Sequence, residues 1–348
     1  MPKKDLLAVL RAGDSLSLPE QILLTLQLSV PAILAQLSSI AMQYIDASMV
    51  GRLGKEASAS IGLVASSTWL FNGLCHALMV GFSVMVAQRI GAGDQRDARN
   101  LTKQALLSAL GFGLLLAAIG GGISAPLPHL LRADAALCPD ASSYFLIFAL
   151  SLPFVQLNRL SAGLLQASGN MRTPSILLVL MCGLDVLFNA LLIFPTRQWG
   201  PITLPGAGLG VAGAALGTAL SETVVGIIMC IFLLRSPVLG LRQNEKLRFV
   251  PAQLRRAVKL GIPVAIERFV MSSAQGITTG SIAPLGTVSI AANSFAVTAE
   301  ALCYMPGYGV QSAAITLIGQ SIGAKRKDLV TTLGWVAVPL GMGILLAA

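Results

Sequence analysis

The chain has 348 residues; 55% are hydrophobic, 11% are charged, mean hydropathy is +0.77 and the formal net charge is +9. About a quarter of the residues in a soluble domain are charged, so the composition excludes a soluble globular protein. The excess of Lys and Arg sits in short loops between apolar stretches, with no basic domain interleaved with aromatics. That pattern excludes a nucleic-acid partner and suits the anionic face of a lipid bilayer.

Apolar stretches long enough for the roughly 20 residues of a bilayer core lie near 22–48, 58–86, 104–123, 141–167, 174–195, 209–234, 258–282, 288–318 and 329–348. The predicted fold class is an all-α integral membrane protein with about nine transmembrane helices. Residues 1–235 are expected to form a bundle of six, 236–257 a cytoplasmic linker, and 258–348 three helices of a second bundle. The first stretch is too long for the apolar region of a signal peptide and lacks a cleavage site, so it is read as retained. With a cytoplasmic N-terminus, the inner segments hold 18 of the 24 Lys and Arg, and the outer loops hold only Arg52, Lys55, Arg132 and Arg197. Arg159 and Arg268 lie within spans. A multi-pass protein of the cell membrane is expected, and a monomer.

In the first span Pro31 removes a helix hydrogen bond, and Asp46 stands near the far end in Gln43-Tyr-Ile-Asp46-Ala-Ser-Met-Val-Gly51, with no base nearby in sequence. Pro153 falls in the fourth span. On the fifth, Asp185 and Asn189 are i, i+4 and share a face; Thr218 and Glu222 do the same on the sixth. The run Gly208-x-Gly210-x-x-Gly213 has the spacing of a dinucleotide fingerprint, but no strand is expected before it and a span follows directly. Gly213 and Gly217 are read instead as close helix packing. The segment from Arg235, at the end of the first bundle, through the linker carries Arg235, Arg242, Lys246, Arg248, Arg255 and Arg256, with Pro237 and Pro251 as breakers. The seventh span holds Pro263, Glu267 and Arg268, and the eighth holds Glu300. Counting along oppositely running helices puts Arg268 and Glu300 at similar depth, which predicts an internal ion pair.

Cys75, Cys138, Cys182, Cys230 and Cys303 are scattered, and His76 and His129 have no matching ligand set, so packing is expected rather than a metal or redox site. The acids within spans are harder to place. An ionised carboxylate near the bilayer centre costs roughly 2.5–3.5 kcal/mol. Asp46, Asp185, Glu222, Glu267 and Glu300 must therefore face an interior, be protonated or pair. Two carboxylates brought together in a poorly solvated cavity do not readily both ionise, so such a pair retains a proton or collects a cation.

Residues 20–116 recur weakly at the end of the chain at one constant offset. Pro31 pairs with Pro263, Leu53 with Leu285, Gly54 with Gly286, Gln88 with Gln320, Ile90 with Ile322, Gly91 with Gly323 and Ala92 with Ala324. Repeats of this length in an apolar chain mark a transporter built from two equivalent bundles around a central site. Because Pro31 and Pro263 are mates, both are hinge candidates. The second copy stops about halfway, so a complete second bundle is expected to need roughly 120 further residues, about three helices. The mates of Asp46, Glu267 and Glu300 are Thr278, Ala35 and Thr68, so the bundles share architecture rather than chemistry.

Several motifs together resemble one family. They are Asp46-x-x-Met-Val-Gly-x-Leu-Gly54, Val86-Ala-Gln-x-x-Gly-Ala-Gly-Asp94, Gly163-Leu-Leu-Gln-Ala-Ser-Gly169, Gly213-Ala-Ala-Leu-Gly-Thr218, Gly261-Ile-Pro-x-x-x-Glu267 and Met305-Pro-Gly-Tyr-Gly309 followed by Gly319-Gln-x-x-Gly-Ala324. In this order they resemble the multidrug and toxic compound extrusion (MATE) transporters. The resemblance implies twelve helices in two lobes and export of amphipathic, often cationic compounds driven by H⁺ or Na⁺, with no cofactor. By that resemblance Asp46 is the first-helix acid, and Asp185 with Asn189 is the fifth-helix polar pair with Asp and Asn exchanged. Thr218 is the sixth-helix hydroxyl, Glu267 the seventh-helix acid of one subgroup, and that subgroup's tenth-helix acid would lie past residue 348.

The alternative reading is a lipid-linked oligosaccharide flippase, which would line its cavity with arginines for pyrophosphate; here two arginines stand against five acids within spans. An intramembrane prenyl transferase would need paired aspartates, to which Asp185-x-x-x-Asn189 comes closest. A transporter rather than an enzyme is expected.

Overall fold

A computed structural model describes residues 6–12, 16–131, 135–199, 202–240, 249–282 and 287–347. Nine long helices follow a short one, α1 (Leu6–Ala12): α2 (Leu18–Gly51), α3 (Lys55–Gly91), α4 (Gln95–Ser124), then, past the single turn α5 (Leu127–Leu130), α6 (Cys138–Ala167), α7 (Arg172–Ile193), α8 (Gly210–Leu234), α9 (Pro251–Ile282), α10 (Thr287–Gly323) and α11 (Lys327–Ala347). Among the described residues, α2, α3, α4, α6, α7, α8 and α11 are long and apolar enough to cross a membrane. The sequence placed all nine; α2, α3, α4, α9 and α10 overrun their apolar stretches at one end or both, by up to about two and a half turns, whereas α7 and α8 keep close to theirs.

Local chemistry sets several ends. Ser17 and Glu20 form a capping box, with Ser17 N–H donating to Glu20 Oε2 at 2.9 Å. Asp94 caps α4 by accepting from Asp97 N–H at 3.0 Å. Pro251 opens α9, earlier than the expected linker end, because a proline at the first helical position gives up no needed N–H. The start of α9 is then pinned by Gln104, whose Nε2 donates to Val250 O at 2.9 Å. Pro31, Pro153 and Pro263 fall inside helices as expected, and so do Pro306 and Pro339, which the sequence reading passed over.

One departure from an all-α chain is a hairpin between α7 and α8. Strand β1 (Pro195–Trp199) pairs antiparallel with β2 (Ile202–Ala207). A strand therefore does precede Gly208-x-Gly210-x-x-Gly213. It belongs to a two-stranded ribbon without a parallel partner, so the nucleotide reading still lacks its βαβ context.

Lipid tails are as apolar as leucine, so these helices associate through close packing. Glycines mark the crossings. A Cβ on Gly113 would lie 2.7 Å from Pro153 Cα, one on Gly120 2.8 Å from Ala149 Cβ, and one on Gly163 2.5 Å from Met79 Sδ. The largest core joins Phe82, Val86, Leu101, Leu160, Leu164, Val225 and Leu233 across α3, α4, α6 and α8.

The second group, α9 to α11, meets the first along α2 and α3. Gly261 packs on the backbone of Ala77, Gly81 on Ala257, and Gly309 on Ile33. At the ends of α3 and α10 the contact is reciprocal: Gly91 packs on the carbonyl of Gln320, and Gly323 on the carbonyl of Gln88. These are repeat mates, so a local two-fold relation passes between α3 and α10. The turns that follow match as well. Ala92, Gly93 and Asp94 donate to the carbonyls of Gln88, Ile90 and Arg89; Ala324, Lys325 and Arg326 donate to those of Gln320, Ile322 and Ser321. The mates Leu285 and Gly286 lie outside the described residues, as do Arg132, Arg242, Lys246 and Arg248.

Helix α1 was not foreseen. Its Leu6 and Leu10 are buried with Leu24, Leu28, Met171, Leu317 and Leu333, so it seats against both groups of helices at one end of the molecule.

Candidate functional site

Two acids of the first bundle, Asp46 and Asp185, meet where α2, α7 and α8 converge. Asp185 is 0% exposed, Asn189 and Ser221 are buried, and Asp46 is partly accessible. Asn189 Nδ2 donates to Asp46 Oδ1 at 3.0 Å and to Asp185 Oδ2 at 3.0 Å. One amide thus bridges carboxylates 139 positions apart on two helices. Ser221 Oγ lies 3.2 Å from Asp185 Oδ1 and 2.9 Å from the carbonyl of Thr218.

Glycine makes this approach possible. A Cβ on Gly217 would collide with Asn189 Oδ1 and lie 3.0 Å from Asn189 N, and one on Gly213 would lie 2.5 Å from Leu192 O. The packing reading of both glycines therefore holds. Asn189 Oδ1 is buried against Gly217 with no hydrogen-bond partner.

Thr218 contributes its carbonyl rather than its hydroxyl to the described hydrogen bonds. Ser221 is the member the sequence reading missed. Its signal was its place one turn after Thr218, but Glu222, the bulkier acid beside it, was taken for that face.

Glu222 belongs elsewhere. Its Oε2 accepts from Asn158 Nδ2 of α6 at 2.7 Å, in a separate polar cluster. That cluster includes Arg159, whose Nη2 donates to Asn72 Oδ1 at 2.8 Å.

In the second group, the expected ion pair is replaced. Arg268 Nη1 donates to Tyr308 Oη at 2.9 Å, with its guanidinium carbon 4.9 Å from the ring centre. Glu300 is exposed, and no Arg268–Glu300 bridge exists among the described residues. Equal depth was not enough: Arg268 turns to Tyr308, and Glu300 stays exposed. Glu267 is exposed and joins neither cluster. Pro31 and Pro263 lie in helices that run on unbroken through them.

A repeat-built set of membrane helices with acids gathered inside one bundle is the framework of a polytopic membrane transporter. The MatE family matches residues 31–191 and 263–348, and the chain belongs to that family. A probable multidrug resistance protein NorM from Thermotoga maritima is 24% identical over 322 residues, covering 89% of this chain and 66% of its own length. The multidrug resistance protein MdtK of Edwardsiella ictaluri is 24% identical over 322 residues, covering 92% and 69%. A MATE protein solved in complex with MaL6 shares the fold with a TM-score of 0.87 at 22% identity, over 99% of this chain and 73% of that one. A MOP superfamily transporter from Pyrococcus furiosus does so with a TM-score of 0.86 at 22% identity, over 100% and 73%. The chain thus spans about two thirds of the length of the curated relatives it matches.

Proposed function

We propose that the chain belongs to an antiporter that exports amphipathic, cationic compounds from the cytoplasm in exchange for H⁺ or Na⁺. The observation that carries this reading is the pair Asp46 and Asp185 bridged by Asn189. Two carboxylates sharing one amide in a poorly solvated pocket repel each other when both are charged. A proton or a sodium ion relieves the repulsion, so occupancy of the site depends on the ion supplied. The names of the multidrug resistance relatives support the choice of cargo.

Transport requires that the ion bind one conformation more tightly than the other. Asp46 lies near one end of α2, and the reciprocal Gly91 and Gly323 contacts close the bundles at the opposite end. The positive-inside rule puts the closed end in the cytoplasm. An ion arriving from outside then meets the carboxylates while the cytoplasmic end is shut. Pro31 and Pro263 are the proposed bending points, each lacking one helix hydrogen bond.

Dye efflux from proteoliposomes under an imposed H⁺ or Na⁺ gradient tests the reading. Asp46→Asn is expected to abolish coupled export while the protein remains inserted. Export by that variant at the wild-type rate removes the pair from the mechanism.

A further inference from the structure

Helix α9 has two unlike sides. Ala257 and Gly261 are buried on one of them. There Gly81 of α3 packs on the carbonyl of Ala257, and Gly261 packs on that of Ala77. The opposite side carries Arg255, Lys259, Ile262, Ile266 and Phe269, all exposed. Steps of four and three residues keep these five on a single stripe of the helix. From the first to the last the stripe runs about 21 Å at 1.5 Å per residue.

The two cations stand near the start of α9, where the positive-inside rule puts the cytoplasmic headgroups. Among the described residues neither has an ion pair. Arg256 beside them turns to α3, where its Nη2 donates to Gln88 Oε1 at 3.2 Å. A shallow groove lined by Ala252, Arg255, Arg256, Val258, Lys259 and Ile262 joins the charged part of the stripe to the apolar part.

The repeat identifies this side of α9 as an outer face of its own bundle. The mates of the five stripe residues are Leu23, Gln27, Val30, Leu34 and Leu37 of α2. All five mates are exposed, although the other five long helices of that bundle are present. The α9 stripe also points away from α3, and so away from the first bundle. Lipid is what meets such a face. A phospholipid has the matching layout, with an anion at headgroup level and an apolar chain running inward from it. On α2 the same stripe opens with Leu23 and Gln27, so it offers the apolar track without the charge.

We propose that Arg255 and Lys259 seat the phosphate of an anionic phospholipid such as phosphatidylglycerol, with one acyl chain along Ile262, Ile266 and Phe269. The stripe passes the level of Pro263, so the bound lipid lies beside the proposed bending point of α9. The seat does not depend on the exporter reading, because lipid contact is measured without transport.

Quenching of an introduced tryptophan by lipids with dibrominated acyl chains reports which lipid touches a given position. Ile266→Trp puts the reporter on the α9 stripe, and Leu34→Trp puts it at the mate on α2. The full chain is reconstituted in mixtures of phosphatidylglycerol and phosphatidylcholine with either lipid brominated, and quenching of the parent chain is subtracted. At residue 266 phosphatidylglycerol is expected to be favoured at least about five-fold, the pull of one surface cation on an anionic lipid. At residue 34 the two lipids are expected to bind within about two-fold of each other, since no cation opens that stripe. Adding Arg255→Gln and Lys259→Gln is expected to bring residue 266 to the level of residue 34. A smaller preference at residue 266 overturns the seat. An equal preference at both positions also overturns it, because it reports only the general attraction of a basic face for anionic lipid. A preference that survives the loss of both cations overturns the assignment to Arg255 and Lys259. Quenching by either lipid at residue 34 but by neither at residue 266 shows that protein covers the stripe, and overturns the lipid as its occupant.

Discussion

Asn189 donates to Asp46 and Asp185 at 3.0 Å each, and it can stand there because residue 217 has no side chain. Replacing Gly217 with Ala puts a methyl group onto Asn189 Oδ1 and close to the α7 backbone. Overpacking of this kind costs roughly 1–3 kcal/mol, and the easiest relief is to turn Asn189 off the two acids. Gly217→Ala is therefore expected to lose coupled export with both carboxylates still present, measured as gradient-driven dye efflux. Gly183 on α7 has nothing within 4 Å of its would-be Cβ, so Gly183→Ala serves as the control that keeps export. Full export by Gly217→Ala would show that the bridge is dispensable. The residue types at Asp46, Asp185 and Asn189 were legible because polar groups at helical spacing are conspicuous in apolar spans. Ser221 was not, since a serine on a membrane helix commonly bonds its own backbone, and Ser221 does that as well as reaching Asp185.

Between elements, the turns that follow α3 and α10 carry the same hydrogen bonds with different residues at the strained position. Gly93 has φ +76°, and its mate Lys325 has φ +58°. A left-handed conformation costs a residue with a side chain roughly 1–2 kcal/mol, whereas glycine adopts it freely. Lys325 is exposed, so its side chain offers little packing in return. Lys325→Gly is expected to raise stability by about 0.5–1 kcal/mol once glycine's extra freedom in the unfolded chain is subtracted. Thermal unfolding in detergent measures this, and a lower midpoint for the variant would contradict it. The turn positions were visible as Gly-Ala-Gly-Asp in the first copy, but the second copy, with Lys in place of Gly, hid the same geometry. The stretch between the predicted spans 174–195 and 209–234 was expected to hold no strand and carries the hairpin of β1 and β2, because ribbons this short lack the period-two apolar pattern that announces a strand.

Across the whole molecule, the reciprocal packing of Gly91 on Gln320 and Gly323 on Gln88 closes one end of the two groups of helices. Arg256 Nη2 adds a bond to Gln88 Oε1 at 3.2 Å, and Gln320 Nε2 donates to the carbonyl of Ala167 at 2.8 Å. The backbones meet too closely there for any side chain. Gly91→Val is expected to part the bundles at this end by roughly 1–3 kcal/mol of overpacking, enough to change a two-state ratio by about one to two orders of magnitude. Spin labels on the exposed Gln95 and Lys327 would report a longer distance in the variant, with Gly122→Val, which meets nothing, as the reference. An unchanged distance distribution would mean that this contact does not hold the bundles together.

Composition and spacing by themselves determined the membrane class, the positions of the nine long helices, the repeat and the candidate acids. Lipid imposes those features on the chain one segment at a time, through a minimum apolar length and a penalty on charge. Tertiary structure decided which polar groups meet: Asn189 with both aspartates, Ser221 with Asp185, Glu222 with Asn158, and Arg268 with Tyr308 instead of Glu300. Sequence spacing places a residue along its helix axis. The direction it faces across a neighbouring helix is set by backbone contacts such as Gly217 on Asn189 and Gly73 on Arg268, which exist only once the bundles are packed.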